Sequence, residues 1–122
     1  MAVNVLIVDD LKFIKIVLRD IIEKGGFRVV GEASNGEQAI QLYLDTRPDV
    51  VLMDITMPGM DGLTALKKIR DLDANAKVII CSALGQQRLI VQAIQLGAKD
   101  FIVKPFQPQR VVAALKKALD IS

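Results

Sequence analysis

The sequence predicts an open α/β domain in which a sheet of five parallel strands is covered by helices on both faces, (βα)5. Three features point there. Short runs of β-branched and aliphatic residues alternate five times with longer amphipathic stretches, and such alternation forces right-handed crossovers and a parallel sheet. Apart from Asn4 and Arg28, near the starts of the first two, the runs are wholly apolar and show no polar–apolar alternation, which is the pattern of strands buried on both faces. The chain is 122 residues long, whereas a closed barrel of eight strand–helix units needs about 250.

Val3–Val8 reads as the first strand, and the helix after it stops at Gly25-Gly26, with Lys24 placed to suit the negative end of the helix dipole. Phe27–Val30 is the second strand; Asn35-Gly36 marks a turn, with Asn35 available as a helix N-cap. Tyr43 on the next helix reads as packing. Val50–Met53 is the third strand, Pro58-Gly59 turns the chain, and Asp61 is a second candidate cap. Leu63, Leu66 and Ile69 then form one apolar stripe. Val78–Cys81 is the fourth strand, with Cys81 a small core residue. A helix through Leu89–Leu96 stops at Gly97, Phe101–Val103 is the fifth strand, and Val111, Val112, Leu115 and Leu119 stripe the last helix.

Composition excludes several classes of function. Apolar residues make up 52% and charged residues 25%, an ordinary globular balance. Sixteen basic against 14 acidic side chains leave a net charge of +2, with no isolated basic block, so nucleic acid is not expected as a partner. No apolar run approaches the roughly 18–20 residues of a membrane span, and Met1-Ala2-Val3-Asn4 does not open a secretory signal. One cysteine precludes an intrachain disulfide and fits a reducing compartment. The expectation is a cytoplasmic monomer, a single domain over residues 1–122, with no segment left after the last helix to act as an output domain. With no histidine in the chain, catalysis by its own imidazole is impossible.

In open parallel sheets the chemistry lies beyond the carboxyl ends of the strands. There the first strand ends in Asp9-Asp10, the third in Asp54, the fourth in Ser82 and the fifth in Lys104-Pro105. An aspartate or serine after a strand is, taken singly, most often a cap or turn former. Together on one rim they say more. At ~4 Å and an effective dielectric of ~20, each close carboxylate pair costs roughly 4 kcal/mol. Either one acid is protonated or a cation sits among them. Oxygen donors without histidine or thiolate suit a hard divalent ion such as Mg2+.

The segments Leu6-Ile7-Val8-Asp9-Asp10, Met53-Asp54-Ile55-Thr56-Met57-Pro58-Gly59-Met60-Asp61-Gly62, Ser82-Ala83 and Phe101-Ile102-Val103-Lys104-Pro105-Phe106 resemble the receiver domain of two-component response regulators. The resemblance spans the whole chain. It implies a flavodoxin-like sheet of order 2-1-3-4-5 and a phosphoryl group accepted on Asp54 from the histidine of a sensor histidine kinase. Asp10, Asp54 and the Thr56 carbonyl resemble the direct Mg2+ ligands, and Asp9 the residue that holds a metal water. Lys104, the Ser82 hydroxyl and the amides of Thr56 and Ala83 would take the phosphoryl oxygens. The peptide before Pro105 would be cis.

Phosphorylation adds about −1.5 to −2 charge to an acidic site, so a rearrangement is expected, with Ser82 and Phe101 as its switch residues. Phe101 stands where chemotaxis relatives often carry Tyr, which leaves packing but no hydroxyl to signal. Leu89–Leu96 has no charged side chain, and a helix with so much apolar surface should leave some of it for a partner. Ile90, Ala98 and Phe101, with Lys104 nearby, are the expected partner surface. The resemblance is strongest to chemotaxis regulators of non-enteric bacteria, implying a chemotaxis-type kinase, a flagellar motor switch protein as target, and a phosphatase of non-enteric type. Thr56 and Leu84 replace the amide and acid that orient water in enteric relatives, so slow self-hydrolysis is expected. A stand-alone receiver in a sporulation-type relay is the alternative. A haloacid-dehalogenase-like phosphatase would need a second Asp two residues after the first, where Leu11 or Lys12 stands. A flavodoxin-like binding module would need a Ser/Thr/Gly-rich loop where Asp10-Leu11-Lys12-Phe13 lies.

Overall fold

The computed structural model describes residues 2–121. Five strands and five helices alternate without exception: β1 Asn4–Val8, α1 Lys12–Lys24, β2 Arg28–Ala33, α2 Gly36–Thr46, β3 Val50–Asp54, α3 Gly62–Leu72, β4 Val78–Ser82, α4 Gln87–Gln95, β5 Asp100–Val103 and α5 Pro108–Ala118. The strands pair in parallel in the order β2-β1-β3-β4-β5. β3 and β4, inside the sheet, are buried along their whole length, as their unbroken apolar runs require.

Side-chain alternation divides the core between the two faces. Leu6, Val8, Val51, Met53, Val78 and Ile80 pack beneath α2, α3 and α4. Val5, Ile7, Val50, Leu52, Ile79 and Ile102 pack beneath α1 and α5. Cys81 is among the latter, 1% exposed, and burial pushes its thiol well above the usual range, so it is packing and not a nucleophile.

Local signals place most boundaries. Asn35 and Asp61 cap α2 and α3 by accepting from the amides of Gln38 and Thr64. Gly26 and Gly97 adopt φ of 90° and 105° just past α1 and α4. The second strand departs from expectation: it runs three residues beyond Val30 through Gly31, Glu32 and Ala33. As an edge strand it needs only one buried face, so Glu32 turns outward to meet Arg19 at 2.6 Å, and the pairing with β1 shifts register at Val5/Leu6. Tyr43 is buried as expected, but its hydroxyl also donates to Asp73 at 2.8 Å. Burial, then that bond, push its phenol up to about 12. Among the described residues no helix is long and apolar enough to cross a membrane.

One close approach anchors the site to the fold. A Cβ at Gly62 would lie 2.2 Å from the Asp54 carbonyl oxygen and 2.7 Å from Ile55 Cα, so α3 begins against the end of β3. Gly62→Ala is expected to lose about 2 kcal/mol or more of stability, because rigid backbone lies in the way. Urea unfolding of the variant beside the parent protein measures it.

Candidate functional site

Asp9 comes directly after β1, Asp54 ends β3, and Lys104 comes directly after β5. In each strand the residue two before has its side chain beneath α1 and α5, namely Ile7, Leu52 and Ile102, so alternation brings these three polar side chains to the same end and the same face. Lys104 Nζ stands 2.9 Å from Asp9 Oδ2 and 3.3 Å from Asp54 Oδ1. Asp9 and Asp54 are 1% and 6% exposed. Asp10 is more accessible and completes the group: one carboxylate oxygen from each of Asp9, Asp10 and Asp54 lies within 4.8 Å of the others.

The crowding leaves its mark on the acids. Burial first, and the Asp9 charge second, push the Asp54 carboxyl from 3.8 up to about 6, with Lys104 and the Thr56 amide pulling the other way. Burial opposes the Lys104 charge, but its bond to Asp9 and the charges of Asp54 and Asp9 outweigh this and hold the ammonium above its ordinary range. Both conditions that crowded acids demand are therefore met in part: one carboxyl is easily protonated, and the chain supplies its own cation.

Both Asp9 oxygens are engaged, Oδ1 by the Leu11 amide at 2.9 Å and Oδ2 by Lys104. The donor set around Asp10 and Asp54 is all oxygen, with room on the solvent side at Asp10, and fits a hard cation that keeps much of its water shell.

Ser82 ends β4 on the opposite face, in register with Val103, two pairs along from Ile80 and Phe101. It is fully buried, and its Oγ has no hydrogen-bond partner among the described residues. An orphaned buried hydroxyl is uncommon in a folded protein, and this one sits one residue beyond Cys81, the register partner of Asp54. Thr56 and Ala83 lie on the exposed loops after β3 and β4. The Ala83 amide donates to Gln86 Oε1 at 2.7 Å, and Gln86 Nε2 donates to Thr56 Oγ1 at 2.9 Å. The Lys104–Pro105 peptide is cis.

The expected partner surface is brought together only in part. Ile90 and Phe101 line a groove of about 290 Å3 with Leu84, Val91 and Val103. In α4 only Ala93 is buried, while Val91 and Ile94 are 55% and 45% exposed. Ala98 does not line that groove. It is 8% exposed and packed with the α2–α4 core, because the turn at Gly97 carries its side chain inward. Two features at the site are not among the residues expected from sequence: Gln86, and an apolar patch beside the acids. Leu11, Phe13 and Ile16, at and after the start of α1, are 54%, 72% and 57% exposed. Their signal is numerical, since the apolar residues around α1 are more than one buried face can hold.

Comparison with known proteins identifies the class. The chain belongs to the response regulator receiver domain family, which matches residues 5–116. It is 57% identical over 117 residues to the chemotaxis protein CheY of Thermotoga maritima, covering 96% of this chain and 98% of that one. CheY of Bacillus subtilis is also 57% identical, over 120 residues, covering 98% and 100%. Sporulation initiation phosphotransferase F of B. subtilis is 39% identical over 118 residues, covering 97% and 94%. Among solved structures, a chain of the CheX–CheY–BeF3–Mg2+ complex from Borrelia burgdorferi superposes with a TM-score of 0.89 at 42% identity, covering 93% of this chain and 87% of that one.

Proposed function

We propose that Asp54 accepts a phosphoryl group from the phosphohistidine of a chemotaxis-type sensor kinase, and that the modified protein then binds a flagellar motor switch protein. The chain is a signalling protein of the chemotaxis kind, favoured over the sporulation relay by relatives at 57% against 39% identity. The observation that carries the site assignment is the convergence of Asp54, Asp9 and Lys104 at one buried strand end, with Asp10 beside them.

An Asp54 carboxylate oxygen attacks phosphorus, the P–N bond of the donor breaks, and the imidazole leaves with the electron pair as an acyl phosphate forms. Asp10, Asp54 and the Thr56 carbonyl would hold Mg2+, and Asp9 one of its waters; when bound, the ion neutralises charge on the phosphoryl oxygens. Lys104 releases Asp54 to meet the new phosphoryl oxygens as a mobile point charge. The unpartnered Ser82 hydroxyl gains an acceptor, and Phe101, on the same face of the sheet, moves with it by packing. The exposed apolar start of α1 offers the donor protein a surface next to the acids. Thr56 and the exposed Leu84 carry no amide or acid to orient water, so the adduct should decay slowly once donor is removed; decay as fast as that of enteric relatives overturns this.

Incubation with acetyl phosphate tests the reading. A single HPO3 adduct on Asp54, requiring Mg2+ and detected by mass spectrometry, is expected; an adduct elsewhere, or none, overturns it. The groove of α4 and β5 is tested by Ile90→Asp, which places a charge among Val91, Phe101 and Leu84. The variant should take the phosphoryl group normally and bind motor switch protein at least tenfold more weakly, as loss of an interface anchor does. Unchanged binding removes Ile90 from the surface.

A further inference from the structure

We propose that the Gln86 carboxamide occupies the phosphoryl-oxygen seat of the unmodified protein, must leave it when Asp54 is phosphorylated, and so sets how readily the site accepts the group. Gln86 Oε1 accepts from the Ala83 amide at 2.7 Å while its Nε2 donates to Thr56 Oγ1 at 2.9 Å, tying the loop after β4 to the loop after β3 across the mouth of the site. Gln86 is also the N-cap position of α4, yet its side chain makes no bond to that helix. It reaches back, away from α4, so helix capping does not explain it.

The Ala83 amide is a donor that the receiver-domain resemblance gives to a phosphoryl oxygen, and the inference rests on the proposed phosphorylation of Asp54. A backbone N–H carries one proton and serves one strong acceptor at a time. Gln86 and the phosphoryl group therefore compete. A charged acceptor makes a bond roughly twice as strong as a neutral amide oxygen, so the exchange runs forward while the phosphoryl group is present and reverses when it is lost. Release leaves nothing buried and unpaired. Ala83 and Thr56 are exposed, and the freed carboxamide turns into water. The link opened in this way joins the loop after Asp54 to the loop that leads into α4, whose groove carries Ile90.

Beryllofluoride titration in Mg2+, monitored on the Ala83 amide by nitrogen-edited NMR, separates this role from a merely structural one. Gln86→Ala removes the competitor and should bind beryllofluoride about 3- to 10-fold more tightly, the equivalent of one or two exposed hydrogen bonds. Gln86→Glu keeps the acceptor and adds a negative charge, and should bind several-fold more weakly than the parent. A structural link would weaken or leave binding alike in both. Parent protein that binds beryllofluoride while Gln86→Ala is unchanged or weaker overturns the role of Gln86 alone; parent protein that binds none overturns the proposed function with it.

Discussion

Asp54→Asn is expected to lose the HPO3 adduct entirely and, in metal-free buffer at neutral pH, to unfold at a higher temperature than the parent protein. The first half rests on chemistry, since a carboxamide has no anionic oxygen to attack phosphorus. The second rests on the environment. Burial, and then the charge of Asp9, raise the Asp54 carboxyl to about 6 from 3.8. A folded value above the unfolded one means that the folded state holds its proton longer. Stability therefore falls as pH rises from about 4 to about 6, and the penalty is complete at pH 7. Two pKa steps correspond to about 3 kcal/mol. An uncharged asparagine escapes that penalty but gives up its share of Lys104, so a gain of about 1–3 kcal/mol is expected, or several degrees in melting temperature. At pH 4 the parent carboxyl is protonated in the folded state and nearly half protonated in the unfolded one, so most of the advantage should vanish. Thermal unfolding in EDTA at pH 7.5 and pH 4 measures both ends. A variant less stable than the parent at pH 7.5 would mean that Asp54 is held there by attraction and is not a strained acid kept for reaction.

The sheet and its reactive end are legible in the sequence because both depend on short-range patterns. Apolar runs give the strands, and the residue after each run must sit at the sheet's carboxyl end, which places Asp9, Asp54, Ser82 and Lys104 on one rim. Register and side-chain direction are not legible to the same degree. β2 reads as ending at Val30 because Gly31 and Glu32 disfavour a strand, and only its position at the edge makes them tolerable. Ala98 is close to Phe101 in sequence, which suggests a shared surface, whereas the turn at Gly97 sends it inward. Lys104 reads as a group awaiting phosphate; that it already bridges Asp9, 95 residues earlier, depends on tertiary geometry. Gln86 gives no signal at all, since a glutamine reaching backward across a loop has no sequence pattern.

The bridge made by Lys104 separates two things that one positive charge does, and Lys104→Met tests them apart. Methionine keeps most of the apolar stem and removes the ammonium. In the parent protein that ammonium touches both Asp9 and Asp54, and its side chain is 20% exposed. Its removal leaves two nearly buried carboxylates facing each other, and breaking a buried pair from one side is strongly destabilising. With partial exposure and the ready protonation of Asp54 as relief, a loss of about 2–3 kcal/mol is expected at pH 7.5 without metal. The loss should shrink as pH falls toward 5, where Asp54 takes up its proton. Millimolar Mg2+ should restore more stability to the variant than it adds to the parent, because the ion no longer competes with the ammonium for the carboxylates, and tighter binding to the folded state translates directly into stability. Phosphoryl transfer should move in the opposite direction. The variant keeps Asp54 and holds Mg2+ more tightly, yet lacks the second positive charge on the phosphoryl oxygens, so its uptake from acetyl phosphate should slow by tenfold or more. Melting curves with and without Mg2+ and the rate of adduct formation measure the two effects. If Mg2+ fails to rescue the variant, the lysine acts on stability through packing and not through its charge. If uptake is unchanged, the ammonium serves only to hold the acids together.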